Sequence, residues 1–349
     1  MLIARAPVRL SLFGGGTDLP AYYERFGGAV LSTSLNKYVY VIMNVGEQSP
    51  LQITSSDYRT FYRHTPGEPL LWDGDLSLPK AVLQHFGVEH GVSIFLASEV
   101  PPGTGLGSSS SVTVALVKAI STACGQKLSK AQVAQLACEI EIGKLGKPIG
   151  LQDQYASAFG GLNWITFKAG EVTVEPMTVE SRVVAQLESR LLLMFTGSAH
   201  DSAQILSQQS KASKALDSRV ISSLQAVSEF AVRARKYLET GALERFGALL
   251  DDAWQCKKQF APGVSNERID HCYEVARNNG AIGGKIAGAG GGGFLILYCE
   301  DGAMDRVAAR LAEEGLRRMD FNFENDGARV LFNAGLRLRE PEQAVPLLH

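Results

Sequence analysis

Residues 101–111, Pro-Pro-Gly-Thr-Gly-Leu-Gly-Ser-Ser-Ser-Ser, decide how this chain is read. An alternating apolar stretch, VSIFLASEV (92–100), leads into them and VTVALVKAISTA (112–123) leads out, so the cluster joins an expected strand to an expected helix. Gly103, Gly105 and Gly107 allow tight turning and let backbone N–H groups approach a bound anion. The serines fall at the start of the helix, where unpaired N–H groups and the helix dipole favour a phosphate. A serine hydroxyl there can also ligate Mg²⁺. The lysine of GxxxxGK[ST] is absent, and GxGxxG fails because Ser108 stands at its sixth position. A flexible Gly/Ser linker is the alternative reading, and the tight flanking pattern argues against it.

Two further glycine clusters and one aspartate stand out. Lys285–Phe294, KIAGAGGGGF, does match GxGxxG through Gly288, Gly290 and Gly293. It opens onto FLILYC, an expected strand, whereas a dinucleotide fingerprint must open a helix. Four consecutive glycines before a core strand indicate a loop packed against something else, with plain turn chemistry as the alternative. Phe13–Leu19, FGGGTDL, follows the first strand and ends in Asp18; alone it also fits a simple capped turn. Gly150–Gly161, GLQDQYASAFGG, sets Asp153 just after a turn, where an aspartate is most often a helix cap.

The chain has 349 residues, 36 of them Gly, with 34 Lys+Arg against 36 Asp+Glu and a formal charge of −2. That length suits two domains. The near-neutral balance gives no electrostatic case for nucleic acid or an anionic membrane. Five scattered cysteines without a CxxC argue against a disulfide framework or a zinc knuckle. No secretory signal and no apolar run of spanning length is evident, so a cytoplasmic location is expected. In the first strand Val8, Leu10 and Leu12 alternate with Arg9, Ser11 and Phe13. Helices are expected over Leu78–Phe86 and Ser129–Lys144, the latter capped by Ser129. Residues 201–258 are expected to form two or three long helices, and Ser265 or Asn266 to cap another. FLILYC, MDFNFE (319–324) and ARVLFN (328–333) read as strands. The class is therefore α+β, with a ferredoxin-like second half and a boundary near residue 185, dividing the chain into 1–185 and 186–349.

Taken together and in this order, APVRLSLFGGGTD, PPGTGLGSSSS and KIAGAGGGGF resemble the three motifs of the GHMP kinases, the superfamily of galactokinase, homoserine kinase, mevalonate kinase and phosphomevalonate kinase. The FGGGTDLP variant and GLQDQYASAFGG are most similar to its D-glycero-D-manno-heptose 7-phosphate kinase branch, with the L-fucose kinases also similar. The resemblance implies the two-domain GHMP kinase fold: a ribosomal-S5-like α/β domain, then a ferredoxin-like α+β domain with extra helices. It also implies ATP-dependent phosphorylation, with Mg²⁺, of the anomeric hydroxyl of a sugar or sugar phosphate.

By this resemblance Asp153 would be the base, and Arg9 would stand beside it and help stabilise the transferring phosphoryl group. Pro102, Gly103, Thr104, Gly105, Leu106, Gly107, Ser108, Ser109 and Ser110 would hold the ATP phosphates. Ser109 and Glu141 would hold the metal, with Glu139 two positions away as the competitor. Gly15, Gly16, Thr17 and Asp18 would meet the sugar, and Gly288, Gly290 and Gly291 would support the acceptor side.

The chain departs from its relatives in places. Gly15 and Gly16 stand where galactokinases carry an acidic residue and a histidine, which disfavours galactose. A phosphorylated substrate needs a cationic clamp, for which Lys37, Lys257, Lys258 and Lys285 are candidates that also read as surface lysines. The stretch 196–202 resembles one in which the heptose branch often has an arginine, and His200 stands nearby in this chain. A free-sugar kinase, a catalytically silent sugar sensor and a decarboxylase of related architecture remain the competing readings. Retention of both Asp153 and Arg9 speaks against the sensor. Monomer and homodimer are equally open.

Overall fold

The computed structural model describes residues 1–197 and 202–338. The first half runs β1 (Leu2–Phe13), α1 (Pro20–Phe26), β2 (Gly28–Pro50), β3 (Gln52–Ser55), β4 (Thr60–Arg63), α2 (Ser77–His85) and β5 (His90–Ser98). It continues through α3 (Ser108–Ala123), α4 (Lys130–Cys138), α5 (Gln152–Phe159), β6 (Leu162–Lys168) and β7 (Glu171–Pro176). The second half holds α6 (Ser181–Arg190), β8 (Leu191–Phe195), α7 (Ser202–Lys214), α8 (Ser218–Glu239), α9 (Leu243–Lys257) and α10 (Glu267–Asn278). It closes with β9 (Ala281–Ile286), β10 (Phe294–Cys299), α11 (Met304–Glu313), β11 (Arg317–Arg318) and β12 (Arg329–Asn333).

Two sheets organise these elements. The larger has the order β12-β1-β2-β5-β3-β4, with β6 paired to β2 and β7 to β6; the smaller has the order β11-β8-β10-β9. The smaller sheet is antiparallel throughout, as two-sided apolar strands such as FLILYC allow when helices cover them. β1 links the two cores. Leu2, Ala4 and Ala6 pack with α3, whereas Val8, Leu10 and Leu12 pack with Phe246 and Leu250 of α9 and with Phe294 and Ile296 of β10. The Phe13 and Phe246 rings meet edge to face at 5.0 Å. Arg9 therefore sits on a strand that both halves of the molecule grip.

Local signals in the sequence carry through at the helix ends. Ser129 caps α4 with a reciprocal capping box through Gln132. Asn266 caps α10, accepting from the Ile269 N–H at 3.0 Å, while Ser265 donates instead to Asp270. The helix expected to run to Lys144 changes character at Glu139 and finishes as a π-helical segment, Glu139–Lys144. Such segments recur at functional sites. Residues 202–257 form α7, α8 and α9.

Two expectations need correction. MDFNFE is not a strand: Met319, Phe321 and Phe323 are satisfied by packing on the second core, with only a single bridge from Phe323 to Leu35. β12 does not join the smaller sheet but returns to pair antiparallel with β1. Residue 185 falls inside α6, between the last paired strand of the large sheet's sequential run and the first of the small one, yet residues 329–333 belong structurally with the first half.

Candidate active site

The site begins with a pair of residues separated by 144 positions. Arg9 on β1 donates from Nε to Asp153 Oδ1 at 2.6 Å and from Nη2 to Asp153 Oδ2 at 2.8 Å. Its remaining nitrogen, Nη1, donates to the carbonyl of Gly105. Arg9 is 4% exposed, so its planar fork is committed to these acceptors. Asp153 lies in the first turn of α5, where the helix dipole favours a carboxylate. One side chain thus ties the α5 carboxylate to the glycine-rich loop.

That loop ends at Gly107, whose φ of 75° lies in the left-handed region, and α3 begins at Ser108. No side chain caps α3, and the first N–H to be bonded within the helix is that of Ser111, to Gly107 O at 3.0 Å. The N–H groups of Ser108, Ser109 and Ser110 are thus the orphans of a helix N-terminus, a ready anion seat. The third glycine cluster backs this loop. A Cβ on Gly105 would stand 2.6 Å from Ala287 O, and one on Gly293 would stand 2.3 Å from Thr104 O. Gly288 likewise abuts the backbone of Gly105. The two loops interlock because neither carries side chains at the contact.

The residues assigned to phosphate binding divide by orientation. Pro102, Gly103, Gly105, Gly107 and Ser109 are partly or fully exposed, whereas Thr104, Leu106, Ser108 and Ser110 are buried. The Thr104 hydroxyl donates to Pro101 O at 2.8 Å, and the backbone carbonyl of Leu106 accepts from the Arg9 backbone N–H at 3.0 Å, so both residues shape the loop.

Glu141 is fully buried on the π-helical segment. Ser110 Oγ donates to its Oε2 at 3.1 Å and Lys147 Nζ approaches at 3.9 Å, while its Oε1 has no partner. Burial pushes this carboxyl up from its ordinary range, with Lys147 opposing. Lys147 also donates to Ser109 Oγ at 3.1 Å, so Ser109 and Glu141 are linked through the lysine and Ser110 touches the carboxylate directly. Glu139 is exposed and accepts from Gln135 at 3.0 Å, away from this cluster. No group of three or more His, Cys, Asp or Glu among the described residues is arranged to hold a metal. The donor set of Glu141 and a serine suits Mg²⁺, which takes one or two protein oxygens and completes its shell with phosphate and water. The unpartnered Oε1 is the observation that fits such an ion.

A pocket opens in front of the Arg9–Asp153 pair, lined by Ser11, Gly15, Gly16, Asp18, Gln152, Lys257, Lys285 and Gly288 among others. Asp18 accepts from Gly16 N–H at 2.9 Å and Gln152 N–H at 3.2 Å. Burial raises its pKa most, the Asp153 charge adds to that, and the backbone donors oppose it. Three residues expected here lie elsewhere. The Thr17 hydroxyl is buried inside its own turn, donating to Gly14 O at 2.8 Å. Gly290 and Gly291 pack on Val264, Gly291 N–H donating to Val264 O at 2.9 Å. Sequence reasoning missed Ser11, although its phase on β1 puts it two residues from Arg9, and missed Gln152. Ser11 Oγ and Gln152 Oε1 are buried and unpartnered at the pocket wall, which suits hydroxyls of a bound polyol.

Of the four candidate lysines, Lys257 and Lys285 reach the pocket, whereas Lys258 stands 3.8 Å from Asp270 and Lys37 is partly exposed on β2. His200 lies outside the described residues. No helix among the described residues is long and apolar enough to cross a membrane.

Comparison with known proteins matches the GHMP kinase N-terminal domain at residues 77–161 and the GHMP kinase C-terminal domain at residues 234–316. The chain is 30% identical over 331 residues to a D-glycero-alpha-D-manno-heptose 7-phosphate kinase of Campylobacter jejuni, covering 93% of this chain and 97% of that one. It is 26% identical to a bifunctional fucokinase/GDP-fucose pyrophosphorylase of Arabidopsis thaliana, over 88% of this chain but only 31% of the longer protein. The crystal structure of a D-glycero-D-manno-heptose 1-phosphate kinase from Bacteroides thetaiotaomicron superposes with a TM-score of 0.79 at 27% identity, covering 96% of this chain and 100% of that one.

Proposed function

The chain belongs to the GHMP kinases, and on that premise we propose that it transfers the γ-phosphoryl group of ATP to the anomeric hydroxyl of D-glycero-D-manno-heptose 7-phosphate, giving the 1,7-bisphosphate. The observation that carries this reading is the Arg9–Asp153 pair, held where a glycine-rich anion seat meets a pocket with unpartnered Ser11 and Gln152 oxygens. ATP with Mg²⁺ supplies the phosphoryl group and neutralises part of its charge.

The chain's own residues would then do the following. Asp153 accepts the proton of the attacking hydroxyl, and Arg9 fixes both carboxylate oxygens so that the base faces the pocket. Asp18, Ser11 and Gln152 hold sugar hydroxyls, and Gly15 and Gly16 line the same pocket. The N–H groups of Ser108–Ser110 receive donor phosphates, and Ser109 with Glu141 provides protein oxygens for the metal. The similarity to a heptose 7-phosphate kinase over nearly the full length of both chains supports the acceptor. A free sugar such as L-fucose is the second reading, supported by the fucokinase relative.

The test is ATP consumption with Mg²⁺ over heptose 7-phosphate, heptose 1-phosphate, free heptose, L-fucose and galactose, for the unaltered protein and Asp153→Asn. Turnover is expected with heptose 7-phosphate, falling by about 10²–10⁴-fold in the variant while ATP affinity is kept. Turnover confined to a free sugar would discard the acceptor and keep the mechanism; full turnover by Asp153→Asn would remove Asp153 as the base.

A further inference from the structure

Besides Arg9, two cations reach the pocket: Lys257, the last residue of α9, and Lys285 on β9. They are 8% and 6% exposed. A buried ammonium is costly unless it is paired, yet neither stands within ion-pair distance of a carboxylate among the described residues. The charges acting on Lys285 are those of Lys257 and Arg9, all of one sign. Lys257 Nζ is oriented by the carbonyls of Ile286, at 2.8 Å, and Gly288. Lys285 Nζ has no hydrogen-bond partner among the described residues.

Their place in the fold says which anion they await. Gly288, which accepts from Lys257, abuts Gly105 of the phosphate loop, and Gly105 O accepts from Arg9. The lysines therefore stand on the seam where that loop, the KIAGAGGGGF loop and the Arg9–Asp153 pair converge, and not at the Asp18 end of the pocket. We propose that Lys257 and Lys285, with Arg9, form a cationic seat for the phosphoryl group in transfer. This rests on the kinase reading. As the bond from phosphorus to the acceptor oxygen forms and the bond to the departing nucleoside diphosphate breaks, the acceptor's proton passes to Asp153. The lysines meet the negative charge spread over the non-bridging oxygens. Arg9 is already paired with Asp153, whereas the two buried lysines face no carboxylate among the described residues, so an anion arriving at that point supplies the partner they lack.

Lys285→Met and Lys285→Arg test this, since Lys285 supports no protein hydrogen bond. Calorimetry would measure binding of Mg-ADP alone and of Mg-ADP with tetrafluoroaluminate, a mimic of the phosphoryl group. Turnover would be followed with a phosphorylated and an unphosphorylated sugar. Lys285→Met is expected to bind Mg-ADP unchanged and to lose about 10-fold or more of the affinity added by tetrafluoroaluminate, with partial recovery in Lys285→Arg. Its kcat should fall about 10²–10³-fold on either acceptor. An intact tetrafluoroaluminate gain would overturn the proposal. So would a loss confined to KM for the phosphorylated sugar, because the pair would then clamp the acceptor's own phosphate. If the unaltered protein turned over no sugar, the kinase reading would fall, and the tetrafluoroaluminate measurement would still decide the role of the lysines. Should Lys285→Met fail to fold, Lys285→Arg and Lys285→Gln carry the same binding comparison.

Discussion

Replacing Arg9 by Lys keeps the charge and removes the fork. The guanidinium makes three hydrogen bonds, two to Asp153 at 2.6 and 2.8 Å and one to Gly105 O, and a single ammonium nitrogen cannot reach all three. At least one carboxylate oxygen and the Gly105 carbonyl would lose a partner. A hydrogen bond to a charged group contributes about 1.5–3 kcal/mol. Asp153 is partly open to the pocket, so water recovers some of that loss and the stability cost should settle near 1–2 kcal/mol. The effect on rate should be larger. Asp153 would be free to rotate, and misplacement of a reacting group by about 1 Å can cost roughly 10²-fold. Arg9→Lys is therefore expected to lower kcat about 10²–10³-fold with a small change in the KM for ATP, read by coupled assay of ADP release alongside thermal unfolding. A kcat within about threefold of the unaltered protein would refute the reasoning, because the fork would then have no positioning role. A fall in melting temperature large enough to unfold the enzyme at assay temperature would instead make Arg9 a structural residue first.

Other outcomes follow from the same geometry. In Gly150→Ala the new Cβ would lie 1.9 Å from Asp18 Oδ2, forcing the carboxylate off the Gly16 and Gln152 N–H groups. A cost of about 1–3 kcal/mol and a KM for the acceptor raised about 10-fold are expected; unchanged KM and melting temperature would show that Asp18 does not order the pocket. Burial and the Arg9 charge bring Lys257 down to about 7, below its range in the unfolded chain. The unfolded state then binds more protons between about pH 7 and pH 10.4, so stability contributed by this residue rises with pH across that window. Denaturant unfolding of the unaltered protein and Lys257→Met at pH 7 and pH 9.5 should show their difference moving in favour of the unaltered protein at the higher pH, and a constant difference would rule this out.

Much of the molecule was legible along the chain because its determinants are local. Ser129 and Asn266 cap helices through contacts three residues away, and Gly107 takes the left-handed conformation that opens α3. Arg9 and Ser11 share a phase on β1 that any strand would impose. The order of the three motifs carries the resemblance that implies the two-domain fold. Tertiary structure decided matters that depend on what stands opposite. The resemblance favours Glu141 over its competitor Glu139 only by alignment, and it is the π-helical segment that turns Glu141 inward to Ser110 and leaves Glu139 on the surface. Thr17, Gly290 and Gly291 belong to motifs that approach the pocket, yet their own contacts face Gly14, Ala29 and Val264. Lys37, Lys257, Lys258 and Lys285 cannot be ranked by composition; packing of α9 and β9 behind the phosphate loop buries two of them and leaves the others partly exposed. A chain's local pattern fixes backbone conformation and periodicity, whereas burial and the electrostatic field at a side chain are set by whatever the fold packs against it, from Ser110 against Glu141 to Arg9 against Asp153, 144 positions apart.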